Sequence, residues 1–224
     1  MAKLICRIGR IPKNYRYRDF RLERKGFLSV FSFGLADQGK RLEMMERGHA
    51  VAVLPVDFGR HRIYLIEQPR HGKAFVKTPA GRRTVSKLLN DGADAGTFSV
   101  PATKVLTLEV PAGMIDGSET PAAAAIRELR EETGLIAAPA DLRLVKKFFL
   151  TIGGCTETIT GFFARVDGGT LRETACGDGD ETIAVREYGW DEAFRLARTG
   201  RIESATALVL LQTLELGARG PNRP

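Results

Sequence analysis

The segment GMIDGSETPAAAAIRELREETGL, residues 113–135, sets Glu128, Glu131 and Glu132 within one short stretch. Its local signals spell a helix over 121–133. Thr120 carries a hydroxyl suited to capping, Pro121 sits where a missing N–H does no harm, and Gly134 supplies a left-handed stop. On a period of 3.6, Ala122, Ala125, Ile126 and Leu129 share a side that can pack on a sheet, while the three glutamates lie on another. Like charges at i, i+4 cost a helix roughly 0.2–0.5 kcal/mol, and i, i+3 neighbours lie almost as close, so convergent carboxylates need an offset. A hard divalent cation is one, since such ions take oxygen ligands. A solvated face on which Arg127 and Arg130 pair with the glutamates is the other.

The rest of the chain narrows the setting. With 224 residues, 43% apolar and 27% charged, it can form one large domain with a real core, with or without a smaller appendage. Cys6, Cys155 and Cys176 are odd in number and far apart, which fits neither a disulfide framework nor a Cys-x-x-Cys metal site. The N-terminal MAKLICRIGR breaks its apolar run with charge, and no stretch approaches the roughly 18–20 apolar residues of a membrane span. The chain therefore reads as soluble, cytoplasmic and unexported, with no membrane partner. The net charge of +7 is carried by residues 1–25, which hold nine Lys or Arg against Asp19 and Glu23. No RNA-binding signature accompanies that basic arm, so attraction of a small anion or a solvated edge is expected, not a nucleic-acid partner.

GFLSVFSFGL and HAVAVLPV read as strands, RIYLIEQ (62–68) as the return strand of a hairpin, and VLTLEV (105–110) as a strand leading to the glutamate helix. LRLVKKFFL, ETITGFFARV and IAVREYG read as strands after it, the last preceded by the acid-rich loop ACGDGDET. WDEAFRLART and SATALVLLQTLELG have helical spacing, the second with Ser204 as N-cap and Gly217 as its stop. Residues 71–104 lack clear periodicity and are too long for an ordinary loop, which leaves a lid, a small insertion or partial disorder. The expected organisation is a strand-rich N-terminal arm over 1–48, a main domain over 49–217 carrying the 71–104 insertion, and a frayed tail over 218–224.

From Gly113 the residues run Gly, five positions, Glu119, seven positions, Arg127-Glu128-Leu129, one position, Glu131-Glu132, one position, Gly134-Leu135. At typical residue frequencies such a match arises by chance with a probability on the order of 10^-7. The pattern resembles the Nudix box at every defined position. The resemblance implies an α/β/α sandwich with a mixed sheet, here with a small N-terminal β-rich portion, and hydrolysis of nucleoside diphosphates linked to another moiety. It implies Glu128 and Glu132 as the principal ligands of Mg2+ or Mn2+, Glu131 as a supporting ligand or base, the Ala112 carbonyl as a further ligand, and Arg127 as the salt-bridge partner that holds the glutamates.

Similarity extends over most of residues 26–216. ERGHAVAVLPVD, LIEQPR, LEVPAGMID and GGCTET resemble the subgroup that cleaves ADP-ribose and nucleotide sugars. That resemblance implies Arg70 as a clamp on the phosphates, Glu157 and Gly154 near the terminal sugar, and Phe27 in the base pocket of a homodimer whose N-terminal strands exchange. It implies Glu181 as the residue that activates water, with neighbouring Asp180 and Glu131 as alternatives. Two departures bear on the sugar and not on the diphosphate: Thr151-Ile152-Gly153-Gly154 stands where the subgroup has Ser-Pro-Gly-Gly, and the 71–104 segment is long. Hydrolysis of dinucleoside polyphosphates or capped RNA is a neighbouring reading. A regulatory module binding nucleic acid is a remoter one, since such modules often lose box glutamates and this chain keeps them all.

Overall fold

The computed structural model describes residues 16–36, 39–91, 97–171 and 182–219, and its chain falls into two units. The first contains residues up to Gly48 together with Thr151–Glu157. Strands β1 (Tyr17–Arg24), β2 (Ser29–Leu35) and β3 (Lys40–Glu46) form an antiparallel sheet in that order. Of these, β1 and β3 are not apparent in the sequence. In β1 the apolar Tyr17 and Phe20 stand three residues apart, which breaks the two-residue alternation by which strands are recognised. A register shift between Arg18 and Arg21, with Asp19 at φ 55°, absorbs the odd residue. Tyr17 and Phe20 thereby both reach the Phe33 ring, at centroid distances of 5.6 and 5.9 Å. Residues 151–157 join the unit through Met45, which donates its N–H to the Gly154 carbonyl and accepts from Thr156 N at 2.8 and 3.0 Å.

The second unit holds a seven-stranded mixed sheet. At its centre β4 (Ala50–Asp57) is buried at every position, as its apolar run over Ala50–Val56 requires, and the closing Asp57 accepts from Arg60 N and Gly168 N. β9 (Thr158–Arg165) runs parallel beside it, and β8 (Leu142–Phe149) lies antiparallel on the far side of β9. β5 (Arg62–Pro69) pairs with β10 (Ala184–Gly189) along one edge. Along its other edge β5 meets β4 only at Val56–Ile63 and Asp57–Arg62. Beyond those pairs the two strands diverge, and β6 (Leu106–Glu109) pairs with β5 while β7 (Ala112–Met114) pairs with β4. Val53 donates to the Pro111 carbonyl at 2.9 Å and stitches the wedge in place.

Helices cover both faces. Val51 and Val53 point to the side of α3 (Pro121–Thr133), where they pack with Ala124, Ala125, Leu129 and Phe162. Ala52, Leu54 and Val56 point the other way, to α4 (Trp190–Arg198) and α5 (Ala205–Arg219), where they meet Phe194, Leu210 and Leu214. Each such large apolar side chain contributes about 1.5–3 kcal/mol by burial. This is the α/β/α arrangement with a mixed sheet that the sequence leads one to expect.

One expectation needs correction. α5 begins as foreseen, with Ala207 N donating to Ser204 Oγ at 3.4 Å, but it runs through Gly217 to Arg219. A glycine inside a helix costs about 1 kcal/mol relative to alanine, too little to end a helix already anchored by Leu210, Leu211 and Leu214. Within the 71–104 segment lie α1 (Gly72–Lys77), α2 (Pro79–Asp91) and a 3-10 turn at Ala102–Lys104, while residues 97–101 carry no regular structure.

Candidate active site

β7, the second strand of the wedge between β4 and β5, carries Ala112 and Gly113, and the same backbone receives the glutamates of α3. Thr120 caps the helix by accepting from Ala123 N at 3.2 Å, and Gly134 closes it at φ 72°. Of the three glutamates, Glu128 and Glu132 turn toward the sheet and are buried, at 9% and 6% exposure. Glu131 does not join them: its side chain is 44% exposed. The expectation that all three share one face is thus corrected, because 3.6 residues per turn put Glu128 and Glu132 above one another and rotate Glu131 away.

Glu132 accepts a hydrogen bond from Ala112 N at 2.9 Å. At Gly113 the fit is tighter, since a Cβ there would overlap the Glu128 carboxylate. Arg127 clasps the outer side. Its Nη1 donates to Glu128 Oε1 at 2.6 Å and to Glu131 Oε2 at 3.1 Å, while Nη2 donates to the Met114 carbonyl and to Glu119 Oε2, each at 3.0 Å. The guanidinium thus ties the helix to the loop before it, and its pKa is raised, chiefly by the Glu119 hydrogen bond.

The Arg127 hydrogen bond also holds the Glu119 carboxyl below its ordinary value of 4.5. A carboxyl depressed by folding contributes stability that is present above its unfolded pKa and is lost as the pH falls through the folded one. Thermal melts from pH 7 down to pH 3 should therefore show Glu119→Gln losing less stability than the parent chain below about pH 4.5. Identical acid limbs would remove Glu119 from the clasp.

Arg70 lies at the end of β5 and is held from behind. It donates to both Glu109 oxygens, Nε at 3.1 Å to each and Nη2 at 2.7 Å to Oε2, and Gln68 Nε2 donates to the same carboxylate at 3.3 Å. The remaining expected residues belong to the first unit. Glu157 is paired with Arg47 Nε at 3.3 Å, Phe27 is 77% exposed beneath the Arg47 guanidinium, and Gly154 accepts from Met45 N. Glu181 and Asp180 lie outside the described residues. Glu119, Glu109 and Arg47 are not singled out by the sequence as site residues. For Glu119 a signal existed in its fixed place in the box, whereas Glu109 and Arg47 are ordinary charged residues until the strands are paired.

The donor set suits a hard cation. Two nearly buried carboxylates lie against the Ala112–Gly113 backbone, and carboxylate oxygens are the donors that hard divalent cations take. Among the described residues no three acidic, His or Cys side chains gather as a complete ligand cluster. An ion such as Mg2+ completes its shell with waters and substrate phosphates, which is compatible with two protein carboxylates.

Residues 98–209 match the NUDIX domain family model. The chain is 30% identical to the ADP-ribose pyrophosphatase of Escherichia coli (strain K12) over 177 residues, 79% of this chain and 72% of that one. It is 25% identical to the GDP-mannose pyrophosphatase of Enterobacter sp. (strain 638) over 174 residues, covering 78% and 77% of the two chains. A solved ADP compounds hydrolase superposes with a TM-score of 0.67 at 19% identity, covering 96% of this chain and 100% of the other, a likeness of fold.

Proposed function

The chain belongs to the Nudix hydrolase family, and from that premise we propose that it is a divalent-metal-dependent diphosphatase acting on ADP-ribose or a related nucleotide sugar in the cytoplasm. The products are a nucleoside monophosphate and a sugar phosphate. The observation that carries this reading is the burial of Glu128 and Glu132 against the Ala112–Gly113 backbone, with Arg127 fastened across the carboxylates. The names of its relatives favour nucleoside diphosphates joined to a sugar.

In this reading Glu128, Glu132 and the Ala112 carbonyl hold Mg2+ or Mn2+, with Glu131 in support. When bound, the cation polarises the diphosphate and stabilises charge developing on its oxygens. Arg127 holds Glu128, Glu131 and Glu119 in place through its hydrogen bonds. Arg70, braced by Glu109, binds the phosphates, and the cations of residues 1–25 attract the doubly charged substrate. Glu181 takes the proton of the attacking water. Glu157, Gly154 and Phe27 remain candidates for the sugar and base ends on resemblance alone.

Product analysis on a panel of nucleotide sugars, with Mg2+ and with chelator, tests the function. Chelator-sensitive release of AMP from ADP-ribose is expected. Turnover confined to dinucleoside polyphosphates or capped RNA would move the substrate, and tight, salt-sensitive RNA binding without hydrolysis would replace the reading altogether. Glu181→Gln should lower kcat at least about 10^2-fold, the usual contribution of a positioned base, with metal affinity little changed. A near-parental rate transfers that role to Asp180 or Glu131.

A homodimer also belongs to this proposal. β1 is exposed along its length, with Tyr17, Phe20 and Leu22 at 56%, 64% and 62%, an apolar surface suited to a symmetric partner. Light scattering should return the mass of two chains, and removal of residues 1–48 should cost both assembly and activity. A fully active monomer would refute it.

A further inference from the structure

The proposed chemistry makes no use of α2. At about 100° per residue, Gly81, Val85, Leu88 and Leu89 fall in one stripe of this helix, and Arg83 and Lys87 lie on the opposite side. The first half of the stripe is covered. Gly81 is buried so close to α1 that a Cβ would run into the backbone of Ala74 and Phe75, and Val85 is half-buried. The second half is open, with Leu88 49% and Leu89 80% exposed. Among the described residues α1 is the only element that α2 packs against extensively.

Charge around this open turn is predominantly positive. Residues 71–91 contain Lys73, Lys77, Arg82, Arg83 and Lys87 against one acid, Asp91, the last residue of α2. Glu203, from outside the segment, pairs with both Lys73 and Lys77, and with Asp91 it brings the five cations to a net charge of +3. Arg82 donates to a neutral group, the Val76 carbonyl, at 2.9 Å.

We propose that α2 docks the enzyme on an anionic phospholipid surface, with Leu88 and Leu89 entering the headgroup boundary and Arg82, Arg83 and Lys87 lying along it. A short amphipathic helix of low overall hydrophobicity, with leucines on one side and Lys or Arg on the other, is suited to lying in that interface. Charge complementarity selects the occupant. A second copy offering its exposed β1, YRDFRLER, would set arginines against arginines. A single-stranded nucleic acid would need exposed aromatic platforms for its bases, and the open turn presents leucines. The expectation of no membrane partner rested on the lack of a span, and lying on a bilayer requires none.

The test is co-sedimentation of the full chain with phosphatidylcholine vesicles and with phosphatidylcholine–phosphatidylglycerol vesicles. Binding is expected to the anionic vesicles alone and to weaken as salt is raised. Because the basic arm of residues 1–25 could also attract such vesicles, the deciding variant is Leu88→Ser/Leu89→Ser, which leaves the charge unchanged. It should lower partitioning at least about tenfold, since it removes the apolar area to be buried, with melting temperature and hydrolysis in solution as in the parent. No binding to anionic vesicles, equal binding to both kinds, or undiminished binding by the double variant would each overturn the proposal. Retention on RNA or an acidic protein in place of vesicles would do the same. The vesicle measurement needs no substrate, so it stands or falls apart from the assigned activity.

Discussion

Glu132→Gln should reduce turnover by about 10^3 or more while shifting the melting temperature by no more than about 2–4 °C. The two effects separate because Glu132 makes two kinds of contribution. As an acceptor it satisfies Ala112 N at 2.9 Å, a bond the isosteric amide oxygen of glutamine can still make. The structural loss is therefore held to about 1 kcal/mol, which moves the midpoint of a chain of this size by those few degrees. As a charge at 6% exposure it is, in the proposed function, half of the buried pair that holds the cation. Metal stabilisation of the transition state is worth several kcal/mol, and each 1.36 kcal/mol is tenfold in rate. Glu131→Gln, at a side chain 44% exposed and bonded to Arg127, should cost less than Glu132→Gln. Steady-state rates with Mg2+, read beside melting curves and Mn2+ titrations, check both. A Glu132→Gln protein with parental melting and parental rate would remove that residue from the machinery.

The glutamate helix was legible in the sequence because its start, stop and spacing are local. A hydroxyl before a proline, a glycine after the last turn and a fixed run of charges need no tertiary information. β4, β5, β8 and β9 were legible for a similar reason, since apolar runs bounded by turn residues announce themselves. What escaped was whatever depended on pairing. β1 was hidden by the odd residue that a register shift absorbs. The stop at Gly217 failed because burial of the preceding turns outweighs one glycine. The segregation of Glu131 from Glu128 and Glu132 was within reach of helix geometry alone. The wedge of β6 and β7 between β4 and β5 was not, because only the pairing of Glu109 opposite Ile66 and of Gly113 opposite Val51 reveals it.

Gly113→Ala should separate catalysis from folding in the opposite sense to Gly81→Ala. At Gly81 the added Cβ would meet the backbone of Ala74 and Phe75, where two helices cross and neither can yield cheaply. That variant should lose about 1–3 kcal/mol of stability, the usual cost of overpacking, and keep its kcat once folded. At Gly113 the clashing atoms are the carboxylate end of Glu128, which three side-chain torsions can move aside. The fold should lose little, about 1 kcal/mol, much of it from disturbing the 2.6 Å bond to Arg127 Nη1. The displaced group, however, is the proposed metal ligand, and a misplacement of about 1 Å at a reacting centre costs on the order of 10^2-fold in rate. Turnover should therefore fall at least that far in a protein whose melting curve remains close to the parent's. A Gly113→Ala enzyme at parental rate would mean that Glu128 can leave its place without consequence, and the assignment of Glu128 would fall while that of Glu132 stood on its own variant.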